Sequence, residues 1–280
     1  MLHAPAPPRS DFGPSRAGIA LVCLLVAWGL LSGCGASAPI IPPATALDQE
    51  PPRLLNAFFG LDDALPRGTR ILCRAAPGSD GMPVTFSRRV LSVDADDFAV
   101  VTESGARKTP RCATVRPADA VSESHTVLLI GDLGTVEDPP VRVEVVGDLP
   151  LEADGQGRGL TVEVTPLEAG PTLVLAIAYA AGTIASDCPA STRQIVQVTW
   201  AGGVQLSDGV AEDAHRTMYR VRTADGEVTP TALGDLDDND NYEHLCLDTA
   251  ADVREVSAQA GVLVDPRGDL NPATTVGVVN

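Results

Sequence analysis

The residues best suited to bind an ion lie in one acidic loop near the carboxyl end of the chain. Four of them take the first, third, fifth and ninth positions of a calcium-type loop: Asp235, Asp237, Asn239 and Glu243. Calcium takes about six to eight oxygen ligands, which Asp and Asn residues on a tight loop can supply. An EF-hand is excluded, because Asp240 replaces the turn glycine and Cys246 replaces the bidentate glutamate. The loop is therefore either a generic calcium site or an acidic surface turn, and the sequence requires no other cofactor.

His244 is the best candidate for acid/base chemistry, since it follows Glu243 and lies near Asp248. An exported hydrolase would use the acids around Asp237 and Glu243 together with His244. The chain contains no G-x-S-x-G, H-E-x-x-H or S-x-x-K motif, however. Cys246, two residues further on, is expected to be bridged, which gives this segment a structural role. The sequence therefore leans away from an enzyme, and a hydrolase is the alternative interpretation.

The scarce aromatic side chains have two interpretations. Trp200 with Tyr179 or Tyr219 would form a stacking platform for a sugar if these rings were exposed. Packing of the same rings in the core is the plainer interpretation. Aromatic residues make up 4% of the chain, so the core must come mainly from Val, Leu, Ile and Ala.

The net charge limits the partners that the chain can bind. The formal charge is -17 at pH 7, and acidic residues occur along the whole sequence. A field of this sign repels nucleic acid and anionic lipid headgroups. The sequence therefore excludes nucleic-acid binding and favours cations or basic partners.

The first 33 residues have the pattern of a signal peptide. Arg9 and Arg16 stand against the single acid Asp11, and an uncharged apolar run follows over residues 17–31. At about 15 residues, this run is shorter than the roughly 20 residues that a membrane-spanning helix needs. Residues 1–33 are therefore predicted to direct export.

The end of this segment, Leu31-Ser32-Gly33-Cys34, resembles the lipobox of bacterial lipoproteins. The resemblance implies that a diacylglycerol is attached to the Cys34 thiol and that the chain is cut before this residue. An ordinary secretory signal with a chance cysteine is the alternative. Gly35, where an Asp would retain such a protein in the inner membrane, implies by the same resemblance an outer-membrane location. The expected partner is thus the membrane, reached through the lipid on Cys34, and the expected location is the cell envelope.

Four cysteines remain once Cys23 leaves with the signal and Cys34 takes lipid. They are Cys73, Cys112, Cys188 and Cys246. An even number in an exported chain indicates disulfides. Three pairings can be drawn, and the spacing together with the expected domain division favours the first with the second and the third with the fourth. A zinc site is disfavoured, because no C-x-x-C pair is present.

The elements that must position these groups are mostly short strands. Residues 34–66 are predicted to hold the lipid anchor, a Pro/Ala-rich spacer and a short docking helix over residues 53–61. Short β-branched runs between Gly, Pro, Asp and Asn then predict two antiparallel β-sandwich-like domains over residues 67–150 and 151–280, each with one disulfide. The predicted strands cover residues 70–74, 83–87, 98–102, 112–115, 126–130, 141–146, 160–164, 172–179, 194–200, 218–223, 244–247, 253–258 and 275–279.

Two segments of the first predicted domain, residues 80–87 and 94–102, resemble bacterial immunoglobulin-like domains of cell-surface proteins. The segments read DGMPVTFS and DADDFAVVT. The resemblance implies a scaffold or adhesin, and it transfers no catalytic residue. From the anchor, the spacer and the missing catalytic motifs, we expect a lipid-anchored envelope protein that serves as a binding or structural module. Its partner would be another envelope component, a protein or a glycan, and calcium could stabilise it.

Overall fold

The computed structural model describes residues 50–74, 76–118, 120–234 and 240–280. Cys34 and the lipobox lie outside these residues, as do most of the Pro/Ala-rich spacer and residues 235–239 of the predicted calcium loop. Within the described residues, no helix has the length and apolar character needed to span a bilayer.

Ten strands build the amino-terminal half of the described chain. They are β1 (Leu54–Phe58), β2 (Asp80–Phe86), β3 (Phe98–Thr102), β4 (Arg107–Lys108), β5 (Cys112–Thr114), β6 (Thr126–Gly131), β7 (Pro140–Val145), β8 (Pro150–Leu151), β9 (Gly155–Gln156) and β10 (Thr161–Thr165). Eight of them form one sheet in the order β4-β3-β7-β10-β1-β2-β6-β5, and β8 pairs with β9. Neighbouring strands run antiparallel, apart from the parallel pair of β1 and β10.

Alternating side chains of this large sheet enclose one apolar core. Met82 and Val84 of β2 share the core with Val100 of β3 and Val143 of β7, so the two ends of the sheet face each other. The rings of Phe86 and Phe98 meet edge to face across this core, with centroids 6.4 Å apart. The arrangement is sandwich-like, because inward residues from both ends of the sheet bury each other.

The predicted docking helix over residues 53–61 is wrong, since this segment contains strand β1. A short apolar run does not by itself distinguish a buried strand from a helix. Here β2 and β10 lie on either side of β1 and pair with its backbone. Ala57 and Phe58 are almost completely buried in this position. Contacts far along the chain therefore decide the conformation of this segment.

The predicted strand over residues 70–74 is also wrong, because a 3₁₀ helix spans Arg67–Ile71. The Thr69 hydroxyl donates to the carbonyl of Pro66 over 2.6 Å, and the Leu72 amide donates to the carbonyl of Thr69. The Ile71 side chain is 92% exposed, so this segment has no apolar face to bury in a sheet. Two further 3₁₀ helices span Ala95–Asp97 and Val121–Glu123.

Ten more strands and one short helix build the carboxyl-terminal half. They are β11 (Leu173–Ala180), β12 (Gln194–Trp200), β13 (Gln205–Leu206), α1 (Glu212–Thr217), β14 (Tyr219–Thr223), β15 (Gly226–Val228), β16 (Ala232–Gly234), β17 (Tyr242–Leu247), β18 (Val253–Ala258), β19 (Leu263–Val264) and β20 (Thr274–Gly277). Two antiparallel four-stranded sheets result, β11-β12-β17-β16 and β15-β14-β18-β20, and β13 pairs with β19.

The second half also has its own apolar core. Val196 and Leu245 of one sheet pack with Val221 and Val256 of the other, and Trp200 is buried among them. The predicted fold class is confirmed, since the structure is mostly β, with several antiparallel sheets and two disulfides. The parallel contact between Ile177 and Val279 adds the chain end to the β11 edge.

Both disulfides join the residues that the sequence paired. Cys73 is bonded to Cys112, which ties the segment after the first 3₁₀ helix to β5. Cys188 is bonded to Cys246, which ties the loop after β11 to β17. Each bridge lies within one half of the chain.

Hydrogen bonds connect the two halves across a buried polar contact. The backbone amide of Thr126 in β6 donates to the Tyr242 hydroxyl over 2.8 Å, and Asn241 Nδ2 lies 3.3 Å from Thr126 Oγ1. Strand β10, which follows the predicted boundary at residue 150, lies in the sheet of the first half. The division into two domains stays a prediction.

Candidate functional site

Glu243, the last member of the predicted calcium loop, lies inside strand β17 and is buried. Its Oε1 accepts a hydrogen bond from His215 Nε2 over 2.7 Å, and its Oε2 accepts a hydrogen bond from the Tyr219 hydroxyl. Trp200 Nε1 donates in turn to the Tyr219 oxygen over 3.0 Å. Both carboxylate oxygens therefore have partners within the protein.

This chain of contacts explains why a carboxylate is buried in the second half. Burial, followed by the charge of Glu243, raises the pKa of Tyr219 well above its usual value, so this phenol stays protonated and donates. The His215 side chain is 29% exposed and closes the network towards solvent. Asp235, Asp237 and Asn239 lie outside the described residues, so the calcium hypothesis stays a prediction.

The aromatic residues considered for a sugar platform belong to the interior. Trp200 and Tyr219 are fully buried, and Tyr179 is 2% exposed. The ring centroids of Trp200 and Tyr219 lie 6.3 Å apart in a tilted arrangement. These rings fill the core of the second half, as the plainer interpretation predicted.

His244 lies in β17 with its ring buried among polar side chains from three other segments. Its Nδ1 lies 3.0 Å from the Ser186 hydroxyl oxygen, and its Nε2 lies 3.0 Å from Gln197 Nε2. The Glu123 carboxylate lies 3.6 Å from the same Nε2. Burial lowers the pKa of His244 to about 4, against a smaller opposing effect of Asp187. The ring is therefore neutral at pH 7 and can accept a proton at one nitrogen.

Ser186 and Glu123 are the residues of this cluster that the sequence did not indicate. Ser186 lies in the loop after β11, and Glu123 ends a 3₁₀ helix in the other half of the chain. No short motif contains both, because Ser186 lies 63 residues after Glu123 and 58 residues before His244. Folding alone brings them to the two nitrogens of one imidazole.

One group of carboxylates in the described residues has the spacing to hold a cation. Oxygens of Asp62, Asp63 and Asp80 all lie within 4.8 Å of one another. The two Asp80 oxygens already accept hydrogen bonds from the amides of Asp63 and Leu133, over 2.9 and 2.6 Å. Burial raises the pKa of Asp80, and these two hydrogen bonds oppose the rise. The two amide hydrogen bonds explain the position of the Asp80 side chain. We assign no metal to the three carboxylates.

A cleft between the two halves has the mostly apolar wall that suits a ligand-binding site. Its volume is about 360 Å³, which falls within the range of small-molecule sites. Most of its wall is apolar and comes from the first half: Phe58, Leu61, Leu65, Pro83, Val115 and Leu128. Its polar wall comes from both halves: Arg116, Thr126, Asp240 and Asn241.

No local sequence pattern indicates this cleft, because its wall comes from segments that are far apart along the chain. Phe58 ends β1, Val115 follows β5, and Gly202 lies after β12. A β-carbon at Gly202 would come within 2.5 Å of the Phe58 ring, so only glycine permits this close approach. The two halves must therefore meet before the cleft exists.

Comparison with family models, curated proteins and solved structures finds no match to this chain. The functional interpretation therefore depends on the geometry described above.

Proposed function

We propose that this chain is an exported, lipid-anchored envelope protein whose cleft binds the apolar part of another envelope molecule. The observation that carries the proposal is the cleft of about 360 Å³, with a mostly apolar wall and a few polar groups. Sites of this composition bind ligands through burial of apolar surface, and the polar groups fix the ligand's orientation.

Both disulfides support the exported location. The four cysteines that follow Cys34 are all bridged. Such bonds persist in oxidising compartments and are rare where cytosolic thiols keep proteins reduced. The bridges thus agree with the export signal and the lipobox of the sequence.

The ligand class follows from the cleft wall and the charge of the chain. A formal charge of -17 disfavours anions, and the cleft wall carries one acidic and one basic residue, Asp240 and Arg116. A protein held at the membrane by lipid meets acyl chains as the most abundant apolar groups within reach. We therefore propose a neutral or zwitterionic lipid, bound by its acyl chain.

The cleft is tested with a neutral lipophilic dye, N-phenyl-1-naphthylamine, whose fluorescence rises in apolar surroundings. We expect saturable binding that a zwitterionic single-chain phospholipid displaces. Ala64 is an exposed residue of the cleft wall, so Ala64→Trp fills space there with little effect on the core. This variant should weaken dye binding at least tenfold. The matched control is Ala106→Trp, because Ala106 lies in an exposed turn remote from the cleft wall.

Two results would contradict the cleft proposal. One is dye binding that is equal in the Ala64→Trp and Ala106→Trp proteins. The other is binding that the phospholipid leaves unchanged, although both variants melt as the wild type does.

The lipid anchor needs a separate test. Mass spectrometry of the protein purified from membranes should show a chain that begins at Cys34 and carries diacylglycerol on this residue. Cys34→Ser should release the protein into the soluble fraction of the envelope. An unmodified Cys34 with residues 1–33 still attached would refute the anchor.

A further inference from the structure

A serine, a histidine and a glutamate that are not part of the cleft wall converge at strand β17. The Ser186 hydroxyl oxygen lies 3.0 Å from His244 Nδ1, and Glu123 Oε1 lies 3.6 Å from His244 Nε2. These residues come from the loop after β11, from β17 and from the 3₁₀ helix Val121–Glu123. His244 and Glu123 are buried, whereas Ser186 is partly exposed. A nucleophile, a base and an orienting acid have this order in hydrolytic triads, although there the nucleophile faces Nε2 and the acid faces Nδ1, the reverse of the arrangement at His244.

The disulfide of the second half fixes this geometry. Ser186 lies two residues before Cys188, and His244 lies two residues before Cys246. The bond between these cysteines therefore clamps the serine loop onto the strand that carries the histidine. The Cys188 amide adds a hydrogen bond to the Ser186 oxygen over 3.2 Å. The hydroxyl is thus held next to the ring by a covalent bridge and by backbone contacts.

The base role requires the tautomer of His244 that carries its proton on Nε2. Glu123 can only accept a hydrogen bond when ionised, so it favours a proton on His244 Nε2. Gln197 Nε2 lies 3.0 Å from this nitrogen, and the Gln197 amide accepts the same proton once it is flipped so that its oxygen faces the ring. Nδ1 is then left without a proton and accepts from the Ser186 hydroxyl.

Gly234 in β16 leaves room for the Ser186 hydroxyl. A β-carbon at Gly234 would come within 3.0 Å of the Ser186 oxygen and 3.1 Å of Cys188 Sγ. A side chain at this position would press on the hydroxyl. The absence of a side chain at Gly234 thus permits the observed position of the Ser186 hydroxyl.

We propose that Ser186 is the nucleophile of an esterase activity, with His244 as its general base and Glu123 as the residue that positions His244. The Ser186 oxygen bonds to the carbonyl carbon of an ester while its proton passes to His244 Nδ1. That proton then goes to the departing alkoxide as the ester C–O bond breaks, which leaves an acyl-serine. Water attacks this ester and gives a proton to Nδ1, from which it returns to the serine oxygen as the free acid leaves.

The substrate class follows from the position of the hydroxyl. Ser186 lies on a partly exposed loop beside β16 and the disulfide, so short acyl esters reach it without entering the core. The activity is independent of the cleft, since Ser186, His244 and Glu123 are not part of the cleft wall.

The experiment uses the exported chain from residue 34 with both disulfides intact. A fluorophosphonate probe should label Ser186, as located by mass spectrometry of the digested protein, and 4-nitrophenyl acetate should be hydrolysed. Ser186→Ala should lose the label and at least a hundredfold of the esterase rate. The matched control is Ser191→Ala in the same exposed loop, which should keep both.

Glu123→Gln distinguishes positioning from folding. This variant should lower kcat at least tenfold, with KM and the melting temperature unchanged. The proposal is overturned if the probe does not label Ser186, or if Ser186→Ala and Ser191→Ala hydrolyse the ester at equal rates. Dye binding in the cleft should be the same in all of these variants, so failure here leaves the binding proposal intact.

Discussion

Two histidines are held neutral in the interior by burial. His125 is fully enclosed and lies with its Nδ1 3.2 Å from the carbonyl oxygen of Phe86, to which this nitrogen donates. Burial, aided by the charge of Arg89, lowers the pKa of His125 to about 4. The pKa of His244 is also about 4, again because of burial. Both rings are therefore neutral at pH 7 in the folded protein.

These pKa values predict a loss of stability in mild acid. The unfolded chain binds a proton at each histidine near pH 6.5, whereas the folded chain does so only near pH 4. Protons therefore favour the unfolded state as the pH falls through this window, by at most about 3 kcal/mol for each histidine. The raised pKa of Asp80 acts in the opposite direction, because the folded state then binds its proton more readily.

Urea unfolding at pH 7.5 and pH 4.5 measures this effect. His125→Gln keeps an amide donor for the Phe86 carbonyl but cannot be protonated, so the pH dependence of its free energy of unfolding should be smaller than in the wild type. An unchanged pH dependence in His125→Gln would show that this histidine is already charged in the folded protein.

At the scale of single elements, local sequence patterns were sufficient to predict most strands. The alternation of residues 141–146 and the β-branched runs at β12 and β18 predicted the strands that form there. The predictions for residues 53–61 and 70–74 were wrong because the residue types in these segments fit two conformations. Contacts with β2 and β10 decide the first segment, and the lack of a buried face decides the second.

Side-chain clusters were harder to predict than strands. His244 stood out by its residue type, but its partners Ser186 and Glu123 follow no spacing rule along the chain. The disulfide pairing was predictable, because the prediction required only the positions of four cysteines and an expected division of the chain. The cleft needs both halves in place, so no local pattern could indicate it.

The Cys73–Cys112 bridge gives a prediction for one element pair. It ties the segment after the 3₁₀ helix Arg67–Ile71 to the edge strand β5 across 39 residues. Closing a loop of this length reduces the entropy of the unfolded chain, which corresponds to about 4 kcal/mol of stability. The double variant Cys73→Ala/Cys112→Ala should lose a stability of this order.

The measurement is urea unfolding of the double variant and the wild type under oxidising conditions. The Cys188–Cys246 bridge remains in the double variant, so added reductant should destabilise that protein further. A double variant as stable as the wild type would show that the unfolded chain gains little freedom without the bridge.

At the scale of the whole molecule, the two apolar cores are joined by a few buried hydrogen bonds. Thr126 is at the centre of this contact. Its amide donates to the Tyr242 hydroxyl over 2.8 Å, and its hydroxyl oxygen lies 3.1 Å from the same phenol. Burial raises the pKa of Tyr242 well above its usual value, so the phenol remains a neutral hydrogen-bonding group. Asn56 adds a further link, from its Nδ2 to the Ala201 carbonyl over 3.5 Å.

The hydrogen bonds between the halves, here called the joint, predict how the unfolding of one half depends on the other. Tyr242→Phe removes the acceptor of the buried Thr126 amide, and such an orphaned group costs about 1–3 kcal/mol. The matched control is Thr85→Val, because Thr85 contacts Thr126 over 3.2 Å within the first half and does not cross the joint.

In the chain from residue 34, Trp200 is the single tryptophan, so its fluorescence reports on the second half alone. Unfolding followed by Trp200 fluorescence and by far-ultraviolet circular dichroism should coincide in the wild type and in Thr85→Val, but separate in Tyr242→Phe. If the two curves already separate in the wild type, the halves unfold independently and the joint does not couple them.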